Sequence, residues 1–230
     1  MSKTEPRTET VTLTASDGHQ FDAFVADPGE ASRAVVIIQE LFGVNHYIRS
    51  VVEDYAREGF LAIAPALFDR VERGVDMSYD TAGRQRGMEL VQKIGTDGPL
   101  NDIAASMEYV GEEVGERAVA VVGFCWGGTL AWLAATRRNP AAAVAYYGGN
   151  IVQFKDEQPS CPTLLHFGAR DAHITPDKVQ AIREAHPEVP IHVYDAPHGF
   201  SCNDREEYTP EAAREAKAIT LKFLNCVLRE

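Results

Sequence analysis

The chain has 230 residues, of which 45% are hydrophobic and 24% charged, and a net charge of -12. That length suits one α/β domain, or one with a small lid, and buries enough surface to fold without a disulfide or metal staple. The acidic balance excludes a basic nucleic-acid face and disfavours anionic membranes. The opening MSKTEPRTET is polar and carries no apolar segment, so no secretory signal is read there. The longest apolar runs, Ala34–Ile38 and Leu130–Ala135 among them, fall far short of the ~20 residues of a membrane span. A cytoplasmic location and, by default, a monomer are expected.

In chain order, Thr10–Thr14 and Phe21–Ala26 read as an antiparallel pair around the turn Ser16-Asp17-Gly18. Ala34–Ile38 is a continuous apolar run, as expected of a strand buried on both faces. A helix follows over Tyr47–Arg57 and ends at Gly59. Leu61–Ala66 is the next buried strand. Residues Phe68 to Gly98 are richer in charge and glycine and lack a clear period; they read as a lid-like excursion with a helix near Gln85–Lys93. The pattern then gives a helix at Asn101–Tyr109, a strand at Ala118–Phe124 and a helix at Thr129–Arg138. Strands at Ala143–Tyr147, Thr163–Phe167 and Ile191–Tyr194 follow, with a helix at Asp177–Ala185. A last helix runs from Thr209-Pro210 to Leu228, with proline at its first position. Alternating strands and helices predict a mostly parallel central sheet with helices on both faces. Ligands of such sheets sit at the carboxyl ends of the strands.

Gly123-Phe124-Cys125-Trp126-Gly127-Gly128 follows one such strand and opens a helix. It has the nucleophile-elbow pattern, glycine–x–nucleophile–x–glycine, with cysteine as the nucleophile. A helix N-terminus favours a thiolate and offers amides to an oxyanion. A packing cysteine in a glycine-rich turn is the bland alternative. The four cysteines, Cys125, Cys161, Cys202 and Cys226, form no CxxC pair and no Cys/His cluster, so no metal site is expected. Seven histidines compete for the base. His198, in Ala196-Pro197-His198-Gly199-Phe200, follows the last strand and is favoured. Asp171 follows Thr163–Phe167 and is its natural acid, with Asp195 the weaker choice. Cys125, Asp171, His198 is the chain order of α/β-hydrolases. The loop Gln39-Glu40-Leu41-Phe42 offers the Leu41 amide as an oxyanion donor beside that of Trp126. Glu40 then lies next to the nucleophile, where a carboxylate opposes both a thiolate and an oxyanion; capping of the following helix is its plain alternative.

QELFGVN, GFCWGG, GARD and PHGF, in this order, resemble the dienelactone hydrolases (carboxymethylenebutenolidases) from about Asp17 to the final helix. The resemblance implies a single α/β-hydrolase domain over 1–230 without metal or organic cofactor. It implies Cys125 as nucleophile, His198 as base and Asp171 as its partner. Glu40 matches a glutamate that pairs with the cysteine at rest and is displaced by the substrate carboxylate. Two arginines hold that carboxylate in the family. The first matches Arg86, or Arg84 if the alignment slips. The second position is Cys202 here, with Arg205 close by but out of register, and an accompanying tyrosine is Leu90. Phe42, Trp126 and Tyr147 are expected pocket walls. The expected partner is a small-molecule lactone or ester, dienelactones first. Another ester or lactone, a non-catalytic role, or thiol redox chemistry of Cys125 with Cys202 are the alternatives.

Overall fold

The computed structural model describes residues 5–228; residues 1–4 and 229–230, which the expected 1–230 domain includes, lie outside the described residues. β1 (Arg7–Thr14) and β2 (Gln20–Asp27) form the antiparallel hairpin read from the first turn, with Thr14 opposite Gln20. β2 then pairs antiparallel with β4 (Leu61–Pro65). From there every pairing is parallel, through β3 (Ala34–Ile38), β5 (Val119–Phe124), β6 (Ala142–Tyr146), β7 (Thr163–Gly168) and β8 (Ile191–Tyr194). The strand order is β1-β2-β4-β3-β5-β6-β7-β8. β3 to β7 are buried along their whole length, which is why they read as unbroken apolar runs. β1 is the exposed edge, with only Val11 and Leu13 half-buried.

Among the described residues, six α-helices accompany the strands: α1 (His46–Arg57), α2 (Thr81–Ile94), α3 (Asp97–Val114), α4 (Trp126–Arg137), α5 (Pro176–Ala185) and α6 (Pro210–Val227). Caps set two of their starts. The Asn45 carboxamide oxygen accepts from the Ile48 amide, and the Asp80 carboxylate from the Gly83 amide. α2 begins four residues before the expected Gln85. Its first turns hold Gly83 and Gly87, which carry no hydrophobic signal. Gly87 is needed where it stands, because a Cβ there would overlap the Leu41 carbonyl oxygen. α2 is thereby seated on the loop that follows β3. The start of the excursion is pinned by Arg70, which forks onto Asp102 of α3 at 2.7 and 2.8 Å and onto Asp17 of the first turn at 2.8 and 3.1 Å.

The carboxyl ends of four parallel strands, with β6 between the second and third, lead into the candidate site residues. β3 leads into Glu40 and Leu41, β5 into Cys125, β7 into Asp171 and β8 into His198. Beneath them β7 carries His166, fully buried, with Nδ1 on the Tyr194 hydroxyl and Nε2 on the Thr220 hydroxyl, each at 2.9 Å. Burial pushes this ring down to about 3, so it is a neutral core histidine rather than a site residue. Among the described residues no helix is long and apolar enough to cross a membrane.

Candidate active site

Cys125 sits at φ 55, the left-handed region that side chains avoid. The strain is imposed by packing on both sides. A Cβ on Gly123 would overlap the Gly127 carbonyl oxygen, and one on Gly127 would overlap the Ile38 carbonyl oxygen. The turn is held further by the Cys125 amide on the Tyr146 carbonyl at 3.0 Å and the Gly128 amide on the Cys125 carbonyl at 3.0 Å. The helix therefore starts at Trp126, three residues before the expected Thr129, and its N-terminus abuts the sulfur.

Cys125 Sγ lies 3.2 Å from His198 Nε2, and His198 Nδ1 lies 2.6 Å from Asp171 Oδ2. Asp171 Oδ1 accepts from the amides of His173 and Ile174 at 2.8 and 3.1 Å. Burial alone would raise the Asp171 carboxyl, but the His198 ring and these amides outweigh it and hold it below its ordinary range. Burial alone would likewise discharge His198. The Cys125 sulfur and the Asp171 carboxylate reverse this and hold the ring up at about 10. Asp195, the weaker acid, instead meets Arg170 at 2.8 Å on the surface.

A cleft of about 820 Å³ opens over this row, lined by Cys125 and His198 with Leu41, Phe42 and Trp126. That volume suits a small-molecule ligand. Both residues expected to carry the oxyanion amides border it. The Trp126 ring is braced by Phe68, stacked at 5.4 Å between centroids. Tyr147 does not line the cleft. It is fully buried behind His198, 5.0 Å between ring centroids, with its hydroxyl 2.6 Å from Ser201 Oγ. It is a backing wall rather than a pocket wall. Among the described residues no cluster of His, Cys, Asp and Glu is arranged to hold a metal ion.

The expected anion clamp is rearranged. Arg86 faces away from the cleft and pairs with Glu72 and Glu89 on the surface. Two residues back, Arg84 lines the cleft instead, as a 100° helical step per residue allows. Arg205, which register placed outside the site, also lines it. Its side chain is 11% exposed and meets Glu40 at 3.5 Å and Glu207 at 3.3 Å. Glu40 is fully buried; its partners are Arg205 and the Tyr79 hydroxyl, which donates at 2.8 Å, and not the Cys125 thiol. The resting pairing implied by resemblance is replaced by a Cys125–His198 contact. Burial raises the Glu40 carboxyl, with Arg205 and Tyr79 pulling the other way. Cys202 is buried outside the cleft lining, where burial and the Glu40 charge push its thiol up to about 12. Cys125, Cys161, Cys202 and Cys226 are all free thiols, and this placement gives Cys202 no reactive thiolate to offer Cys125.

Tyr79 and Lys178 escaped the reading from sequence, and His173 entered it only as one of seven competing histidines. Tyr79 lies in the excursion, where no periodicity marks it. His173 had one available signal, its position two residues past Asp171 in a turn closed by that carboxylate.

The sheet order and the strained cysteine elbow define an α/β-hydrolase. Residues 21–228 match the dienelactone hydrolase family. The carboxymethylenebutenolidase of Pseudomonas putida is 31% identical over 226 residues, covering 94% of this chain and 96% of that protein. Carboxymethylenebutenolidase 1 of Cupriavidus pinatubonensis is 28% identical over 223 residues, covering 93% and 95%. A solved chain from Klebsiella pneumoniae superposes with a TM-score of 0.82 at 28% identity, covering 95% of this chain and 98% of that one. This chain belongs to the dienelactone hydrolase family and is a hydrolase.

Proposed function

We propose that the chain cleaves lactone or ester bonds of small molecules through a cysteine nucleophile, with carboxylate-bearing dienelactones the first substrates to test. The observation that carries this reading is the continuous contact from Cys125 Sγ through His198 to Asp171 at the foot of an open cleft. The thiolate attacks the carbonyl carbon. Negative charge collects on the carbonyl oxygen, which the Leu41 and Trp126 amides receive; such donors contribute about 10²–10³ in rate each. Collapse breaks the ester C–O bond, and the His198 imidazolium gives its proton to the leaving oxygen. The thioester is then attacked by water, whose proton His198 takes, and the C–S bond breaks to release the acid. Asp171 keeps the ring in the tautomer that both transfers require.

The test is ring-opening of a carboxylate-bearing dienelactone followed by ultraviolet absorbance, with Cys125→Ala alongside. Cysteine-dependent turnover is expected. If the lactone is inert but a simple aryl ester still acylates Cys125, the mechanism stands and the substrate is another ester. If no ester acylates Cys125, the hydrolytic reading is wrong.

A further inference from the structure

A second, smaller cavity of about 190 Å³ opens between α1, α6 and the loop after β8, and shares no residue with the catalytic cleft. It is somewhat larger than an engineered cavity of about 150 Å³ that takes benzene. Its walls are aromatic: Tyr47, Tyr55, Phe124, Tyr146 and Tyr208. Phe124 and Tyr146 stack at 4.7 Å between centroids, so the wall presents flat faces. Two cations border it. Lys217 is taken up by Asp54 at 3.1 Å and by the Tyr55 ring at 5.7 Å. Arg214 stands exposed at the rim, and among the described residues no carboxylate lies within ion-pair distance of it.

Ser201 lines the same cavity, half-buried. Its Oγ meets two hydroxyls, Tyr147 at 2.6 Å and Tyr47 at 3.0 Å. Both tyrosines are buried, so each phenolic proton needs an acceptor inside the protein. Among the described residues Ser201 Oγ is the partner each one has. Both tyrosines therefore donate to it. A hydroxyl offers two lone pairs and one proton, so Ser201 is left with a donor and nothing else to give the cavity. The cavity thus holds two unspent donors, the Ser201 hydroxyl within and the Arg214 guanidinium at the rim. It also touches the catalytic row from behind. Phe124 is the residue before Cys125, and the Tyr147 ring that Ser201 anchors backs His198 at 5.0 Å.

We propose that this cavity is a second, non-catalytic binding site for a single-ring phenolic carboxylate, and that its occupant acts on His198 through Ser201 and Tyr147. The flat ring packs between the aromatic walls. The carboxylate points outward and accepts charge-assisted hydrogen bonds from Arg214. The ring oxygen points inward and accepts the Ser201 proton. Hydrogen bonds in a chain polarise one another, so a filled site strengthens the two tyrosine bonds to Ser201 and steadies the wall behind His198. The site does not depend on the hydrolytic reading, because its occupant is not the molecule that Cys125 attacks.

The experiment is calorimetric titration of 4-hydroxybenzoate and of benzoate into the full-length wild type, Arg214→Met and Arg84→Met. Arg214 is exposed, so folding is not at issue. Arg84→Met is the control for binding in the catalytic cleft. 4-Hydroxybenzoate should bind the wild type with a dissociation constant below about 1 mM. Arg214→Met should weaken it by about tenfold to a hundredfold, and Arg84→Met should leave it unchanged. Benzoate, which lacks the inward oxygen, should bind the wild type about threefold to tenfold more weakly. No binding to the wild type, equal binding to Arg214→Met, or a loss in Arg84→Met instead overturns the site. Equal affinity for the two ligands overturns the contact with Ser201. The link to His198 is read from alkylation of Cys125 by iodoacetamide at pH 6, followed at the Cys125 peptide by mass spectrometry. Saturating 4-hydroxybenzoate should speed it about 1.5-fold to 2-fold in the wild type and not in Arg214→Met. Binding that leaves the wild-type rate unchanged overturns the link. None of these readouts requires turnover, so failure of the hydrolytic reading leaves them intact.

Discussion

Removing Arg205 should expose how the buried Glu40 is tolerated. Glu40 has no solvent access, one hydrogen bond from Tyr79 and one cation, Arg205, at 3.5 Å. In Arg205→Met a carboxylate is left buried without its counter-charge, a change that typically costs about 3–5 kcal/mol. Protonation offers an escape. Holding a carboxyl neutral at pH 7 against an unfolded value of about 4.3 costs about 3.7 kcal/mol, so the loss is capped near that figure. The sign of the pH dependence follows. In the variant the folded carboxyl keeps its proton while the unfolded one has lost it. The folded state therefore binds the extra proton, and stability falls as pH rises above the unfolded value. Because burial already raises the wild-type carboxyl, the deficit relative to wild type should lie below about 3.7 kcal/mol at pH 7 and shrink as pH falls toward 4.5. Urea unfolding at pH 5, 6 and 7 measures it. Glu40→Gln in the Arg205→Met background should recover most of the deficit at pH 7, since a neutral amide needs no counter-charge. A deficit below about 1 kcal/mol, or one independent of pH, or no recovery by Glu40→Gln, would show that Arg205 does not neutralise Glu40.

Cys125→Ala should abolish hydrolysis, by at least about a thousandfold, while unfolding free energy stays within about 1 kcal/mol of wild type; steady-state rates and urea melts read the two. Gly127→Ala should destabilise by about 1–3 kcal/mol, because its new methyl must displace the Ile38 carbonyl, and should slow acylation of Cys125 as the elbow shifts; a variant of wild-type stability and rate would contradict the close packing. His166 is held neutral in the fold down to about 3, while the unfolded ring protonates near 6.5. Stability is thus fully present above that value and is lost as pH falls through the window from 6.5 to 3, contributing a slope of about 1.4 kcal/mol per pH unit. His166→Gln should make the measured slope shallower by that amount, and an unchanged slope would place the proton uptake elsewhere.

The strands were legible because burial on both faces writes itself as unbroken apolar runs; β3, predicted at Ala34–Ile38, is found there. The elbow was legible for a different reason. Its glycines fall within six residues of one another, so the pattern can be read locally even though Gly127 answers the distant Ile38 carbonyl. The partners of Glu40 were not. Tyr79 reaches it from 39 positions away and Arg205 from 165, and nothing periodic marks either. The rotation of α2 was equally hidden. Arg84 and Arg86 are two residues apart, and with α2 seated through Gly87 on the Leu41 carbonyl it is Arg84 that lines the cleft. Register from motifs therefore names the Cys125, Asp171 and His198 that the structure brings together, and misplaces Tyr147 after β6 and the groups held by the excursion and by the loop after His198.

That division also resolves the oddity of an acid beside the proposed nucleophile. A bare carboxylate at residue 40 would oppose the thiolate and every oxyanion formed on it. The structure spends a separate set of groups on cancelling it: the Arg205 guanidinium and the Tyr79 hydroxyl hold Glu40 on one side, while Asp171 and His198 hold Cys125 on the other. The two couples stay linked, because the His198 charge is itself among the influences favouring ionised Glu40. Any anion drawn into the cleft that competes for Arg205 would weaken the first couple, raise the proton affinity of Glu40, and so remove a negative charge from the neighbourhood of the sulfur as the acyl group arrives. Protection of Cys125 from iodoacetamide by succinate tests this: protection accompanied by proton uptake is expected, and protection independent of pH would refute it.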